Sequence, residues 1–246
     1  MMKFELLRKI DDVVGRIRKP KSIKRNSILD DIVFLSKEKA RFAFDVGAHH
    51  GMYSIELNNR IQLEKIFCFE PFPESFNILK QNLISPIYNH QQLALSDYAG
   101  ISTFYVNQFD ETNSLLPSIK TNSQIDHLTA PVRTINVHVD TLENFCKIQS
   151  VEKIDVLKID AQGNSLNVLK GATGMLERRA IRLIQCEVEF LEIYKDEPLY
   201  HKIAFFLEGH GYLLYSLYNI HYDVNGRLSW ADALFYPNAE EDQGGN

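Results

Sequence analysis

The stretch "FAFDVGAHHGMYS", residues 42–54, gives the strongest indication of the fold of this chain. Its first five residues are mostly apolar and typical of a buried strand, and the glycines at positions 47 and 51 indicate a tight turn that leads into a helix. Such a turn often binds a small molecule, because free N–H groups at a helix N-terminus attract anions. The stretch alone leaves several ligands open: a dinucleotide, a bare phosphate, a metal ion held by His49 and His50, or another molecule.

The first three ligands fit this turn poorly. A dinucleotide turn has the pattern G-x-G-x-x-G, but His49 stands where the middle glycine would be, and its ring would crowd a pyrophosphate. No Gly-Lys-Ser/Thr follows, which argues against a phosphate-binding P-loop. Adjacent residues of a helix do not face each other, so we expect His49 and His50 not to share an ion, and we predict no metal site. A nucleotide-like ligand without phosphates remains, and S-adenosylmethionine fits that description.

An acidic residue at the end of the second predicted strand supports an adenosine ligand. Glu70 directly follows the apolar run "IFCF". An acid about twenty residues beyond the glycines of such a turn can accept hydrogen bonds from both ribose hydroxyls. The turn and the acid together therefore predict S-adenosylmethionine as the cofactor.

Length and composition are those of an ordinary globular protein. The chain has 246 residues with 45% hydrophobic and 24% charged residues, which fits one α/β domain with additions or two small domains. Cys68, Cys146 and Cys186 are far apart in apolar segments, so we expect reduced core thiols and a reducing compartment.

The N-terminal segment differs in charge from the rest of the chain. Residues 1–25 carry nine Lys or Arg against three acidic residues, while the formal net charge of the whole chain is −5. Apolar residues at helical spacing predict an amphipathic helix there, whose basic face either contacts anionic lipid or is simply solvated. The absence of a long apolar run predicts a cytoplasmic protein, with peripheral contact at the inner face of the membrane as one possibility. The sequence has no basic stripe of the kind that would indicate nucleic-acid binding.

From residue 41 onward, strand and helix patterns alternate, which predicts parallel strands joined by helices. Inserted strands at 100–106 and 133–139 flank a polar loop at 107–124. The final two strands surround Asn225-Gly226, a strong hairpin signal, so the sheet is expected to end in an antiparallel hairpin. We expect the other strands at 41–46, 65–70, 90–96, 154–160, 181–190, 212–219 and 230–237, with helices after Gly51 and at 27–39, 73–83, 164–178 and 199–211.

Acidic residues at the carboxyl ends of the predicted strands indicate where chemistry would occur. Methyl transfer to a hydroxyl requires the acceptor oxygen to lie in line with the methyl group and to lose its proton to a base. Asp160 and Glu187 are the candidate bases, although Asp160 is also suited to cap a helix. Tyr53 and Phe72 are candidates for contacts with the adenine or the sulfonium, and simple packing explains them equally well.

The polar loop between the inserted strands is a candidate substrate lid. Glu111, Asn113 and Ser114 offer the mixture of hydrogen-bond donors and acceptors that a polyol would use. An ordinary solvated loop explains the same residues about as well.

The chain resembles the FkbM-type family of S-adenosylmethionine-dependent methyltransferases over about residues 40–237. The family implies a Rossmann-like α/β fold with a seven-stranded, mostly parallel sheet that ends in an antiparallel hairpin. It also implies O-methylation, often of sugars in glycans or of secondary metabolites. We accordingly expect a helical extension at 1–40, a methyltransferase domain at 41–238 and a disordered tail at 239–246. The resemblance rests on "FDVGAHHGMYS", "CFEPFPESFNILKQN", "LALSDYAGISTFYV", "ETNSLL", "VHVDTLENF", "IDVLKIDAQGNSLNVLKGA" and "GRLSWADALFY".

The resemblance also implies roles for individual positions. The implied cofactor-binding residues belong to the glycine turn, to the segment of the ribose-binding acid, to the edge of the adenine site and to the fourth-strand motif. The implied acceptor-binding residues lie in the polar loop. The cofactor set is Asp45, Gly47, Ala48, His49, Gly51, Glu70, Pro71, Phe72, Ala94, Leu95 and Asp160, and the acceptor set is Glu111, Asn113 and Ser114.

Two departures from the family pattern bear on function. The family usually has Asn at the position of His49. The fourth-strand motif usually reads Asp-x-Glu/Gln-Gly-x-Glu, whereas this chain ends it with Ser165, which puts in doubt a base or metal ligand at that place. The alternative function is therefore a catalytically reduced methyltransferase-like protein that acts by binding cofactor or a partner. A nicotinamide oxidoreductase is disfavoured by His49.

Overall fold

A computed structural model describes residues 27–36, 40–121 and 125–238 of this chain. The strands are β1 (Phe42–Val46), β2 (Lys65–Phe69), β3 (Tyr88–Gln91), β4 (Ala94–Leu95), β5 (Gly100–Asn107), β6 (Pro131–Asp140), β7 (Ile154–Ile159), β8 (Ile181–Glu189), β9 (Tyr212–Tyr222) and β10 (Leu228–Pro237). The helices are α1 (Ile28–Ser36), α2 (Met52–Arg60), α3 (Pro73–Asn82), α4 (Ile125–Leu128), α5 (Leu142–Gln149), α6 (Ser165–Lys170), α7 (Thr173–Glu177) and α8 (Tyr200–Gly209), with a 3₁₀ turn at Asp110–Thr112.

The central sheet has seven strands in the order β3-β2-β1-β7-β8-β10-β9. The first five of these strands are parallel, and β10 runs antiparallel to both of its neighbours. The predicted α/β sheet, mostly parallel with a terminal antiparallel hairpin, is confirmed. Because the chain order reverses between β1 and β7, a crevice forms at the carboxyl ends of these two strands.

Helices cover both faces of the sheet, which is why its strands are apolar on both sides. Alternate residues of β1 point to opposite faces: Ala43 packs with Ile32 of α1, while Phe44 packs on the other face. There, the Phe145 ring of α5 stands edge-on to Phe69, with ring centroids 4.7 Å apart. Two hydrophobic cores thus hold the sheet between helical layers.

The single strand predicted at 90–96 is wrong. β3 ends at Gln91, whose carbonyl oxygen accepts a hydrogen bond from the Glu70 N–H (3.0 Å). The chain then leaves the central sheet, and Ala94 and Leu95 pair with the end of β6 in a second sheet. The two short strands therefore belong to different sheets, which periodicity along the chain does not reveal.

The helix predicted at 164–178 is in fact two helices, α6 and α7. They separate at Gly171, where a Cβ atom would lie 2.1 Å from the Ser96 carbonyl oxygen. α5 was not predicted, although Thr141 caps it by accepting a hydrogen bond from the Asn144 N–H (3.1 Å). Leu142, Phe145 and Cys146 are its buried residues, and this helical spacing together with the capping threonine was a signal that the sequence analysis did not use.

The inserted strands form a three-stranded sheet in the order β4-β6-β5. This sheet has its own small core, which includes Phe72, Ala94 and Phe104. The insertion therefore stands beside the carboxyl ends of β1 and β2, where it forms one wall of the crevice.

Only part of the predicted N-terminal extension is described. Within it, α1 packs Ile28, Leu29 and Ile32 against the sheet. The predicted basic helix lies within residues 1–26, and the predicted disordered tail is residues 239–246; both lie outside the described residues. Among the described helices, none has the length and apolar character needed to cross a membrane. Cys68, Cys146 and Cys186 are buried and unpaired, as predicted.

Candidate active site

A cleft of about 240 Å³ lies at the carboxyl ends of β1, β2 and β7, next to the insertion. The lining comes from the glycine turn, the end of β2, the β4 strand, the loop after β5 and the end of β7. Eleven residues proposed from the sequence line it together: Gly47, Ala48, His49, Tyr53, Glu70, Pro71, Ala94, Leu95, Glu111, Asn113 and Asp160.

The glycine turn is fixed to both neighbouring strands. Gly47 has φ of 72°, and a Cβ atom there would lie 1.9 Å from the Asp160 carbonyl oxygen, so no other residue fits. The N–H groups of Gly47 and Ala48 both donate to the Phe69 carbonyl oxygen (3.0 and 2.9 Å). Gly51 has φ of 84° and is the N-cap residue directly before α2. The turn therefore holds its shape through backbone contacts.

Glu70 connects the glycine turn to the end of β2. One carboxylate oxygen accepts the His49 N–H (2.9 Å) and the other accepts the Phe72 N–H (2.8 Å). Burial raises the pKa of Glu70 to about 7, against the lowering effect of these two N–H groups. A carboxylate has about four acceptor positions, so two remain for a ligand in the cleft.

Lys158, which the sequence analysis did not single out, lies buried beneath the turn. Its ammonium is 3.0 Å from the Asp45 carboxylate and 3.5 Å from that of Asp160, and it donates to the Gly47 carbonyl oxygen (2.8 Å). It also lies 5.5 Å from the centre of the Tyr53 ring. Burial lowers the pKa of Lys158, but Asp45 and Asp160 outweigh this effect and leave the pKa raised. A lysine inside the apolar run "IDVLKI" was the available signal.

Asp160 and Glu187 are linked through one side chain. The Gln162 amide donates to the Asp160 carboxylate (2.9 Å) and to the Glu187 carboxylate (2.8 Å). The Tyr194 hydroxyl in turn donates to the side-chain oxygen Oε1 of Gln162 (2.9 Å), which fixes the amide orientation. Burial, and then the Asp160 charge, raise the pKa of Glu187 well above its ordinary value. Asp160 lines the cleft, whereas Glu187 lies behind Gln162.

The loop after β5 is tied across the end of β7. The Ser114 hydroxyl donates a hydrogen bond to the main-chain carbonyl oxygen of Gln162 (2.6 Å) and accepts one from the Leu116 N–H (2.9 Å). Asn113 accepts the Asn107 N–H (2.7 Å), and its buried amide nitrogen has no hydrogen-bond partner within the described part of the chain. Asn113 lines the cleft, while Ser114 anchors the loop.

His49 and His50 face each other, contrary to the expectation from helical geometry. His49 has φ of 48° and lies in the turn before α2, and not on the helix. The two imidazole rings stack with centroids 3.6 Å apart. The Nε2 atom of His49 lies 3.0 Å from Asp110, on the loop after β5. The premise of the sequence argument against a shared ion is thus wrong.

Five residues proposed from the sequence do not line the cleft. Asp45 is buried and pairs with Lys158, and Gly51 packs against Leu79 and Leu83. Phe72 packs in the small core of the inserted sheet. Ser114 anchors the loop after β5, and Glu187 lies behind Gln162.

The charges in the cleft favour a cationic ligand. Glu70, Asp110, Glu111 and Asp160 line it, and the Lys158 ammonium is already paired with Asp45. These carboxylates would repel the negative charges of a pyrophosphate, whereas they would attract a positively charged group. The lining also has apolar residues, which are Ala94, Leu95, Phe104 and Leu115. The cleft therefore offers both carboxylates and an apolar surface to a ligand.

Comparisons with known proteins find methyltransferases. The methyltransferase sdnD of Sordaria araneosa is 28% identical over 155 residues, 53% of this chain and 60% of that protein. The 2-O-methyltransferase NoeI of Sinorhizobium fredii is 26% identical over 207 residues, 79% of this chain and 81% of that protein. A solved methyltransferase FkbM from Methylobacillus flagellatus KT matches with a TM-score of 0.50 at 12% identity, over 81% of this chain and 44% of that one.

The likeness to the solved Methylobacillus structure, at 12% identity, shows the fold alone. The chain spans less than two thirds of the sdnD protein and of the solved Methylobacillus chain. The model of the methyltransferase FkbM domain matches residues 45–214, which is more than half of this chain. This protein therefore belongs to the methyltransferase FkbM domain family.

Proposed function

We propose that this protein transfers a methyl group from S-adenosylmethionine to a hydroxyl of a sugar, glycan or secondary-metabolite acceptor. The observation that carries the proposal is Glu70, a buried carboxylate that lines the cleft at the end of β2 and retains acceptor positions beside the glycine turn. Family membership supports methyl transfer, and the relative described as a 2-O-methyltransferase supports an oxygen acceptor.

The cofactor proposal assigns a part of the cleft to each part of S-adenosylmethionine. Glu70 would accept the ribose hydroxyls, and the wall formed by Ala94, Leu95 and Phe104 would contact the adenine. The acidic side of the cleft would attract the cationic sulfur. When bound, S-adenosylmethionine supplies an electrophilic methyl group.

Asp160 is the proposed base for the acceptor hydroxyl. Its carboxylate lines the cleft with 39% of the side chain exposed, so an acceptor oxygen can reach it. Lys158 and Gln162 hold this carboxylate in place. Proton transfer to such a base contributes about 10²–10⁴-fold to a rate. Glu187 does not line the cleft and is bonded to the Gln162 amide that holds Asp160, so we propose it as a positioning residue.

The acceptor would enter next to the loop after β5. Asn113, with its unpartnered amide nitrogen, and Glu111 line the same cleft as Asp160 and offer one donor and one acceptor to a polyol. We propose that the acceptor is a small molecule or glycan and not a nucleic acid. Cytoplasmic location and membrane contact through residues 1–25 stay predictions.

The test is methyl transfer by purified protein to a panel of hydroxylated acceptors, followed by mass spectrometry of the products. We expect a methylated product, and a fall in kcat of about 100-fold or more in Asp160→Asn. Asp97→Asn is the control, because Asp97 is exposed and outside the cleft. Unchanged turnover in Asp160→Asn contradicts the assigned base. Cofactor binding without transfer to any acceptor would favour a catalytically reduced protein.

A further inference from the structure

Three potential metal ligands meet at the mouth of the cleft. They are His49 and His50 from the turn before α2 and Asp110 from the loop after β5. One ligand atom from each residue lies within 4.8 Å of the others. The left-handed backbone at His49 creates this arrangement, because it turns the His49 ring to stack on its neighbour.

The distances from Asp110 to the two histidine nitrogens are close to those around a tetrahedral ion. Metal bonds of about 2.1 Å at tetrahedral angles place neighbouring ligand atoms about 3.4 Å apart. The Asp110 carboxylate oxygen lies 3.0 Å from the Nε2 atom of His49 and 3.7 Å from that of His50. The two stacked rings do not point their in-plane lone pairs at one common point, so one imidazole must turn out of the stack before all three atoms can bond one ion.

The surroundings have further features of a metal site. The Ser75 hydroxyl donates to the same Asp110 oxygen (3.0 Å), as outer hydrogen bonds commonly do for metal-bound carboxylates. The Nε2 atom of His50 is buried and has no hydrogen-bond partner among the residues that the structure describes. A buried ring nitrogen without a partner is costly unless something binds it.

We propose that His49, His50 and Asp110 bind one divalent transition-metal ion such as Zn²⁺. Two imidazoles and a carboxylate suit zinc, and three protein ligands leave a fourth position. All three residues line the cleft, so the fourth position is accessible from it. The ion would join the cofactor turn to the loop after β5 across 61 residues of sequence.

Direct metal binding to the untagged full-length protein tests this proposal. After removal of metals by a chelator, Co²⁺ and Zn²⁺ are titrated and followed by visible absorption and equilibrium dialysis. We expect one ion per chain and a rise in Tm on addition of Zn²⁺, because binding to the folded state stabilises it. In His50→Gln and Asp110→Asn, affinity should fall at least about tenfold and the rise in Tm should be lost.

His138→Gln is the matched control, since His138 is exposed on β6 and lies outside the cluster. It should bind metal as the unaltered protein does. Equal affinity in His50→Gln and the unaltered protein, or no saturable binding at all, would overturn the proposal. S-adenosylmethionine binding is measured separately in the presence of chelator, so a failure of the proposed function remains distinguishable from a failure of the metal site.

Discussion

The Lys158 ammonium lies 3.0 Å from the Asp45 carboxylate, and both side chains are almost fully removed from solvent. The two residues are direct partners in the register of β1 and β7. Lys158 also donates to the Gly47 carbonyl oxygen, so this buried ion pair sits beneath the glycine turn. The pair therefore connects the stability of the sheet to the shape of the cleft.

Lys158→Met should strongly destabilise the protein. The substitution leaves the Asp45 carboxylate buried without its cation, a change that typically costs about 3–5 kcal/mol. We expect a loss of this size in the free energy of unfolding measured with urea, whereas Lys170→Met, on an exposed residue, should change little. Replacing Asp45 with Asn in the same chain should recover part of the loss. A loss in Lys158→Met no greater than in Lys170→Met would refute the role of the pair.

Glu197 should make stability depend on pH. Its carboxylate accepts N–H groups from Ile193 and Tyr194, yet burial raises its pKa from 4.5 to about 7. The folded protein therefore holds a proton that the unfolded chain releases between these values. The resulting stabilisation is present below about pH 4.5, decreases as pH rises, and is lost above about pH 7.

Glu197→Gln isolates this contribution, because the amide keeps an acceptor oxygen and carries no charge. Relative to the unaltered protein, the variant should gain free energy of unfolding as pH rises from about 5 to about 8. Denaturant titrations at several pH values measure this difference, with Glu152→Gln as the exposed control. Parallel pH profiles for the variant and the unaltered protein would mean that Glu197 titrates normally.

Ser114→Ala should loosen the loop after β5. The substitution leaves the Gln162 carbonyl oxygen and the Leu116 N–H without their partner, which costs about 1–3 kcal/mol. We expect a lower urea midpoint and a higher KM for the acceptor. Ser102→Ala is the control, since the exposed hydroxyl of Ser102 makes one long hydrogen bond, to its neighbour's carbonyl oxygen at 3.4 Å. If the two variants behave alike, Ser114 does not anchor the loop.

Much of the fold was predictable because the relevant signals are local. The apolar strands, the glycines at 47 and 51 and the hairpin at Asn225-Gly226 each depend on a few neighbouring residues. The place of Glu70 followed from parallel pairing, since the carboxyl ends of parallel strands meet at one edge. Local pattern was therefore enough to locate the cleft.

The missed features depend on contacts between distant segments. Lys158 gains its role only through the register that places it opposite Asp45. Ser114 resembled a ligand-binding residue, and its bond to Gln162 requires the loop to cross β7. The facing rings of His49 and His50 result from one positive φ, which a helical reading of the turn conceals.

The most direct test of the central claim is calorimetric titration with S-adenosylmethionine and, separately, NAD. We expect the unaltered protein and Glu152→Gln to bind S-adenosylmethionine and not NAD. At about pH 8, above the pKa of about 7 for Glu70, Glu70→Gln should lose about 10–100-fold in affinity, because hydrogen bonds to a charged group contribute about 1.5–3 kcal/mol. Equal affinity in Glu70→Gln and the unaltered protein, or binding of NAD alone, would contradict the assignment of this cleft.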